Sequence, residues 1–332
     1  MMMLRPPAQN FKLAMQGWLL NKLAQDALTA DSHGINRFLK EARQQNIALR
    51  VISPKEIDII VEDRSPESLI GGQHLFLIDG KRVALPDFVL NRMGSATTYF
   101  ALAAMRQLEN AGVYMPNTAQ SVEKARDKMH TLQILAQNGL PIAKSMLAKF
   151  PTDVDLVERE LRFPVIVKTL AGSQGRGVFL CENRQKFEDL IGMITTSRGN
   201  PNFVIQEFIA PSSGRDLRVF VIGRRVIGCM MRVAGEETFK ANYSRGATVA
   251  AYPLTPLIER LALAAAEVLG LEIAGVDLLF DGETFKVCEA NSSPGFRGME
   301  ECCDVNVPAE ILAYITKKIA ERRNNFSPLL QS

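Results

Sequence analysis

Histidine is scarce in this sequence. His33, His74 and His130 are spread over 332 residues, which argues against catalysis centred on an imidazole. Cysteine is sparse as well: Cys181, Cys229, Cys288, Cys302 and Cys303 are odd in number and show no CxxC spacing. Neither a zinc site nor a disulfide framework is expected, and a reducing cytoplasm fits best. The adjacent Cys302-Cys303 pair reads more readily as idle thiols than as a redox pair. No apolar run approaches the length of a membrane-spanning helix, so no membrane partner is expected. Residues 13–20, after Arg5 and Lys12, faintly resemble a signal peptide, but the run is short, broken by Gln16 and followed by Lys22. It reads as a first core strand. Excess charge is missing too: Lys+Arg 39 against Asp+Glu 36 leaves +3, too little to imply a nucleic-acid partner. No internal repeat or low-complexity segment is seen.

What is present is ordinary for a globular chain, 47% hydrophobic and 23% charged, with length for two or three domains. Residues 11–117 alternate strand-like and helix-like segments. Strands are expected at 12–19, 48–52, 88–91 and 113–115, and helices at 33–45 and 97–111. A hairpin is expected around Asp79-Gly80. The pattern predicts a small open α/β domain, in which ligands sit beyond the carboxyl ends of strands. Arg92 follows such a strand and is placed to hold an anion; a solvated strand-end arginine is equally compatible. Residues 121–138 read as helical with a break at Arg126-Asp127, where Asp127 caps the next segment and Lys128 opens it. From 145 the pattern becomes β-rich.

The most informative stretch is 274–298. Two apolar runs, 276–280 and 284–288, flank Asp281-Gly282 and predict a β-hairpin. Glu289 and Asn291 lie two apart and can share a strand face. Asp277 depends on the loop. A two-residue turn at 281–282 pairs it with Lys286 and sends Glu289 to the other face. A three-residue loop at 281–283 pairs it with Val287, and all three side chains converge. Two carboxylates and an amide oxygen suit Mg²⁺, which takes further ligands from water and substrate phosphates. A surface hairpin with polar ends is the plainer alternative, but the acidic residues run into Ser-Ser-Pro-Gly, a turn that fixes the strand end.

Upstream, Lys168 ends an apolar strand before the loop Ala171-Gly172-Ser173-Gln174-Gly175-Arg176-Gly177, and a strand follows at 178–181. Strand, glycine loop, strand is the form of a phosphate-covering flap, in which backbone N–H groups approach oxygens closely. No helix follows, so neither a P-loop nor a dinucleotide fingerprint fits. A plain hairpin connection is equally compatible with the loop alone, but a lysine in an apolar strand needs an anionic partner. The extended segment Gln206-Glu207-Phe208-Ile209 offers backbone hydrogen bonds and apolar side chains to a purine. Arg218 and Arg232, read as lying at strand ends, are cleft or rim charges with even weight. Lys240-Ala241-Asn242 leads to Arg245-Gly246, a candidate anion clamp. Helices are expected at 255–270 and 308–323.

In order, these motifs resemble the ATP-grasp superfamily, and more narrowly the RimK-like α-L-glutamate ligases. The resemblance runs from about residue 88 to 320, and the first ~85 residues match poorly. It implies an N-terminal open α/β domain (1–117) before a two-lobed ATP-grasp fold, an α/β (α+β) architecture. The lobes are expected at 118–205 and 206–332, with ATP between antiparallel sheets. It further implies that Lys168, Lys128 and the flap residues Gly172, Ser173, Gln174, Gly175 and Gly177 bind nucleotide phosphates. Gln206, Glu207, Phe208 and Ile209 would meet adenine, and Asp216 the ribose. Lys240, Ala241 and Asn242 match a phosphate-contacting segment that in the family usually reads arginine-serine-asparagine, so Asn242 is the surest of the three. Asp277, Glu289 and Asn291 match the ligands of two Mg²⁺ ions, with Mn²⁺ able to substitute. Arg245 and Arg218 match arginines near the transferred phosphate. Arg92 and Arg297 are candidates for the substrate cleft.

The activity this implies is ATP-dependent amide formation through an acyl phosphate, with L-glutamate as the expected amine and a peptide, small acid or cofactor as the carboxylate. Family relatives often form dimers or tetramers. Two rival classes remain at this point: an ATP-grasp kinase acting on a hydroxyl, and a nucleotide-binding regulator without turnover.

Overall fold

The computed structural model describes residues 14–61, 76–170, 177–196, 202–235 and 246–326. Near the N-terminus, β1 (Met15–Leu20), β2 (Ile47–Ile52) and β6 (Phe88–Asn91) form a parallel sheet in the order β2-β1-β6. The helix α1 (His33–Gln44) buries Ile35, Phe38 and Ala42 at the expected helical spacing. The helix α2 (Tyr99–Asn110) starts at Thr98, whose hydroxyl accepts the Ala101 N–H. A small antiparallel sheet joins β3 (Ile57–Ile59), β4 (Phe76–Ile78) and β5 (Lys81–Arg82), with positive φ at Asp79 and Gly80 in its hairpin turn. The strand expected at 113–115 is only a single bridge, Tyr114 to Phe88.

Two further helices, α3 (Ala119–Arg126) and α4 (Lys128–Gln137), are separated at Asp127, whose carboxylate caps α4 through the His130 N–H at 3.0 Å. The central sheet has the order β7-β10-β8-β9 and is antiparallel: β7 (Ser145–Leu147), β8 (Val165–Thr169), β9 (Val178–Cys181) and β10 (Phe203–Glu207). The helices α5 (Val154–Leu161) and α6 (Arg184–Thr196) cover it. α6 is absent from the sequence-based expectations, although Phe187, Ile191 and Ile194 carry its periodicity.

The second sheet has five strands in the order β13-β12-β11-β14-β15. They are β11 (Arg215–Ile222), β12 (Arg225–Val233), β13 (Thr248–Ala251), β14 (Ile273–Asp281) and β15 (Thr284–Asn291). One face packs Leu217, Val219, Val221, Ala274, Val276 and Leu278 on α7 (Pro256–Leu269). α7 ends at Gly270 in the left-handed conformation, φ 71°. On the other face, Phe220, Ile222, Met230 and Ile273 pack against Leu19, Phe38 and Phe88 of the N-terminal sheet region. The helices α8 (Arg297–Cys302) and α9 (Val307–Phe326) join the same cluster. The N-terminal domain is thus seated on one end of the five-stranded sheet.

Candidate active site

The site face of the five-stranded sheet is set by strand alternation. Val276, Leu278, Val287 and Ala290 point into the core under α7. Asp277 and the polar residues of β15 therefore point the other way. The hairpin register differs from both expected alternatives. Its turn is Gly282-Glu283, with Asp281 opposite Thr284 and Leu278 opposite Val287; a bulge at Cys288 then places Asp277 directly opposite Glu289. The extra residue converges Asp277, Glu289 and Asn291 without the three-residue loop. Asn291 falls opposite Gly275, where a Cβ would meet the Pro294 Cβ at 2.6 Å and the Arg218 Nε at 3.6 Å. Glycine leaves the room those groups occupy.

The two carboxylates have opposite surroundings. Asp277 is 4% exposed and accepts from Arg218 Nε and Nη2, each at 2.7 Å, and from Arg232 Nη2 at 2.9 Å. Burial alone would raise its pKa; the two guanidinium groups overcome that and hold it down to about 2. Glu289 forms no ion pair with any described residue, and its Oε1 accepts the Asn291 Nδ2 N–H at 3.2 Å. Because the Asn291 amide nitrogen is directed at Glu289 and Gly275 O, the amide oxygen remains for another ligand. Two carboxylates and an amide oxygen on one face fit a hard divalent cation. Among the described residues no three His, Cys, Asp or Glu side chains form such a group, so the amide is needed to complete it.

Arg218 corrects the strand-end reading, since β11 begins at Arg215, whereas Arg232 does lie at a strand end, one residue before β12 stops at Val233. Asp216 and Arg232 are cross-strand partners, joined by two hydrogen bonds of 2.7 and 2.6 Å. Arg232 is 4% exposed, so the rim-charge alternative does not hold. Burial, opposed by Arg232, raises the Asp216 carboxyl to about 6.

The central sheet supplies the facing wall. Lys168 Nζ donates to Gln206 Oε1 at 2.7 Å and lies 3.6 Å from Cys288 Sγ; Gln206 Nε2 donates to Ser145 Oγ at 2.8 Å. Burial pushes the Cys288 thiol up to about 11. Lys128 Nζ reaches Leu170 O at 3.0 Å. Burial lowers its pKa and the charge of Lys168 adds to the effect, against the pull of Glu289, so these groups share one field. Glu207 accepts the Lys144 backbone N–H at 2.8 Å and Lys286 Nζ at 2.6 Å, a link between the two sheets. Its side chain is therefore engaged. Phe208 and Ile209 lie just past the end of β10. Gly177 has φ 72°, and its carbonyl accepts the Thr169 N–H.

Arg92 stands where the N-terminal domain meets the Ser-Pro-Gly turn. It donates to Pro294 O at 2.8 Å and lies over the Phe38 and Phe296 rings at 5.4 and 5.6 Å. No described carboxylate pairs with it, and burial lowers its pKa to about 10. Arg297 does not join the site: it is exposed and paired with Glu301 along α8 at 3.2 Å. Gly172, Ser173, Gln174, Gly175, Lys240, Ala241, Asn242 and Arg245 lie outside the described residues. Sequence reasoning missed Ser145, Cys288 and Lys286 as cleft residues and underrated Arg232. Strict alternation from the Gly223-Arg224 turn would have set Met231 opposite Asp216; a bulge at Ile227 brings Arg232 there instead.

Two family models match the chain: the RimK-like ATP-grasp domain over residues 125–315 and the RimK pre-ATP-grasp domain over residues 27–122. The second match corrects the expectation that the first ~85 residues carry little resemblance. A probable alpha-L-glutamate ligase 1 of Shewanella amazonensis is 34% identical over 286 residues, 86% of this chain and 92% of that protein. A probable alpha-L-glutamate ligase of Vibrio cholerae is 32% identical over 295 residues, 89% and 95%. Among solved structures, a RimK domain ATP-grasp protein of Sphaerobacter thermophilus aligns with TM-score 0.67 at 19% identity, covering 90% of this chain and 98% of that one. The chain belongs to the RimK-like ATP-grasp family.

Proposed function

We propose that this RimK-like ATP-grasp protein joins a carboxylate to an amine with ATP, adding L-glutamate to the carboxylate of a peptide, small acid or cofactor. The observation that carries the reading is Glu289: a half-buried carboxylate without an ion-pair partner among the described residues, opposite Asp277 and within electrostatic reach of Lys128. Such a group invites a cation bound to an anionic ligand. Asp277, Glu289 and Asn291 would hold Mg²⁺. When bound, the ion neutralises charge on the transferred phosphoryl group.

Lys168 and Lys128 orient the phosphates, and the end of β10 takes the base. An acceptor carboxylate oxygen attacks the γ-phosphorus and ADP leaves. The amine nitrogen then attacks the acyl carbon, phosphate departs and the amine proton passes to solvent. Arg218, together with Arg245, stabilises the developing oxyanion. Arg92, which pairs with no acid among the described residues, receives an anionic group of the substrate. We assign the three segments 1–117, 118–205 and 206–332 to acceptor selection, the nucleotide flap and the cation site. A cytoplasmic dimer or tetramer fits the same reading.

Measuring ADP and free phosphate with acceptor, glutamate or both tests it. A ligase releases both products only when both substrates are present. ADP without free phosphate would mark a kinase instead, and neither product would mark a binding protein.

A further inference from the structure

Asp216 and Asp277 sit on different strands, and the register partner of Asp277 on β11 is Arg218 rather than Asp216. What joins them is Arg232. Its Nε and Nη2 grip the two oxygens of Asp216 at 2.7 and 2.6 Å, and the same Nη2 donates to Asp277 Oδ2 at 2.9 Å. The guanidinium is buried, as is Asp277, so the geometry is enforced by packing as well as charge. A planar fork with fixed donors holds two carboxylates at a set separation, which an ammonium cannot.

Arg218 differs. It donates to both oxygens of Asp277 and is more exposed, 13% against 4% for Arg232. Arg218 is thus placed to turn toward a ligand, whereas Arg232 is committed to acids on both sides.

We propose that Arg232 is a positioning residue that locks the nucleotide-side carboxylate, Asp216, and the cation-side carboxylate, Asp277, into one frame. The proposal rests on the ligase reading, which gives those two carboxylates their ligands. Loss of the frame loosens both at once, although Arg232 itself contacts neither nucleotide nor cation.

The test uses the full chain and its Arg232→Lys variant, which keeps the charge and removes the fork. Binding of ADP without divalent cation is followed by calorimetry, and binding of Mn²⁺ without nucleotide by electron paramagnetic resonance. Both affinities are expected to fall about tenfold, in line with the loss of a group that orients a metal ligand. A lower melting temperature with both affinities within about twofold of wild type, or a change in only one, would overturn the frame. Asp216→Asn, nearly isosteric, is the second variant. Under the proposal it weakens Mn²⁺ binding at a carboxylate it does not touch, and unchanged Mn²⁺ binding counts against it. If the wild-type protein binds neither ADP nor Mn²⁺, the ligase reading falls and takes this inference with it. If wild type binds both and the variants match it, only the inference falls.

Discussion

The site face of the five-stranded sheet has two ends, built from the same strands. At one end Phe220, Ile222, Met230 and Ile273 are buried against the N-terminal domain and α9. Two residues along, β11 offers Arg218 in place of Phe220, and β12 offers Arg232 in place of Met230. Beyond Ile273, β14 passes through Gly275 to Asp277. Alternation fixes which face a side chain takes but not what it meets there. At the apolar end the neighbour is another core. At the polar end it is the central sheet, with Lys168 and Gln206 turned toward it. One rigid sheet therefore serves as both floor of the domain interface and floor of the site.

The largest effect is expected where the polar end is most tightly paired. Asp277→Ala leaves the half-buried Arg218 without its acid and Arg232 with one acid instead of two. Removing one partner from a buried ion pair costs about 3–5 kcal/mol, so both stability and turnover should collapse. Urea denaturation with a parallel activity assay measures this; an unchanged midpoint would mean the cluster is not the support described here. At the apolar end, Phe220→Ala should cost a similar ~3–5 kcal/mol through cavity formation. Here turnover per folded molecule should stay within about threefold of wild type, since no ligand-facing group is removed. A deep loss of turnover in the folded fraction would show that the two ends are not separable.

Much of this division is legible in the sequence. The apolar runs, Asp127 and the order of the motifs place the sheets and the trio of Asp277, Glu289 and Asn291. The register that brings the trio together is not legible, because a bulge adds one residue with no compositional mark; Cys288 looks like any small strand residue. Arg232 was obscure for another reason. A buried, doubly paired arginine and a solvated one are the same letter, and it takes a bulge at Ile227, after the hairpin turn at Gly223-Arg224, to set it opposite Asp216. The polar ends of strands are thus where pattern reading is weakest, since burial there comes from partners distant in sequence.

Glu289→Gln gives the sharpest contrast with Asp277, on the same face and directly opposite. The carboxylate has no ion-pair partner among the described residues, so its replacement by an amide strands no charge, and the Asn291 N–H can still donate to the new amide oxygen. Stability should change by less than about 0.5 kcal/mol, as for a substitution that breaks no buried pair. Turnover should nonetheless fall by about 10²–10³, the size expected when one preorganised electrostatic contact to a developing charge is lost. Thermal unfolding and ADP release, measured on the same preparation, separate the two quantities. If stability fell as far as in Asp277→Ala while turnover per folded molecule persisted, Glu289 would belong to the scaffold. The pairing of one supported carboxylate with one left free for a cation would then lose its basis.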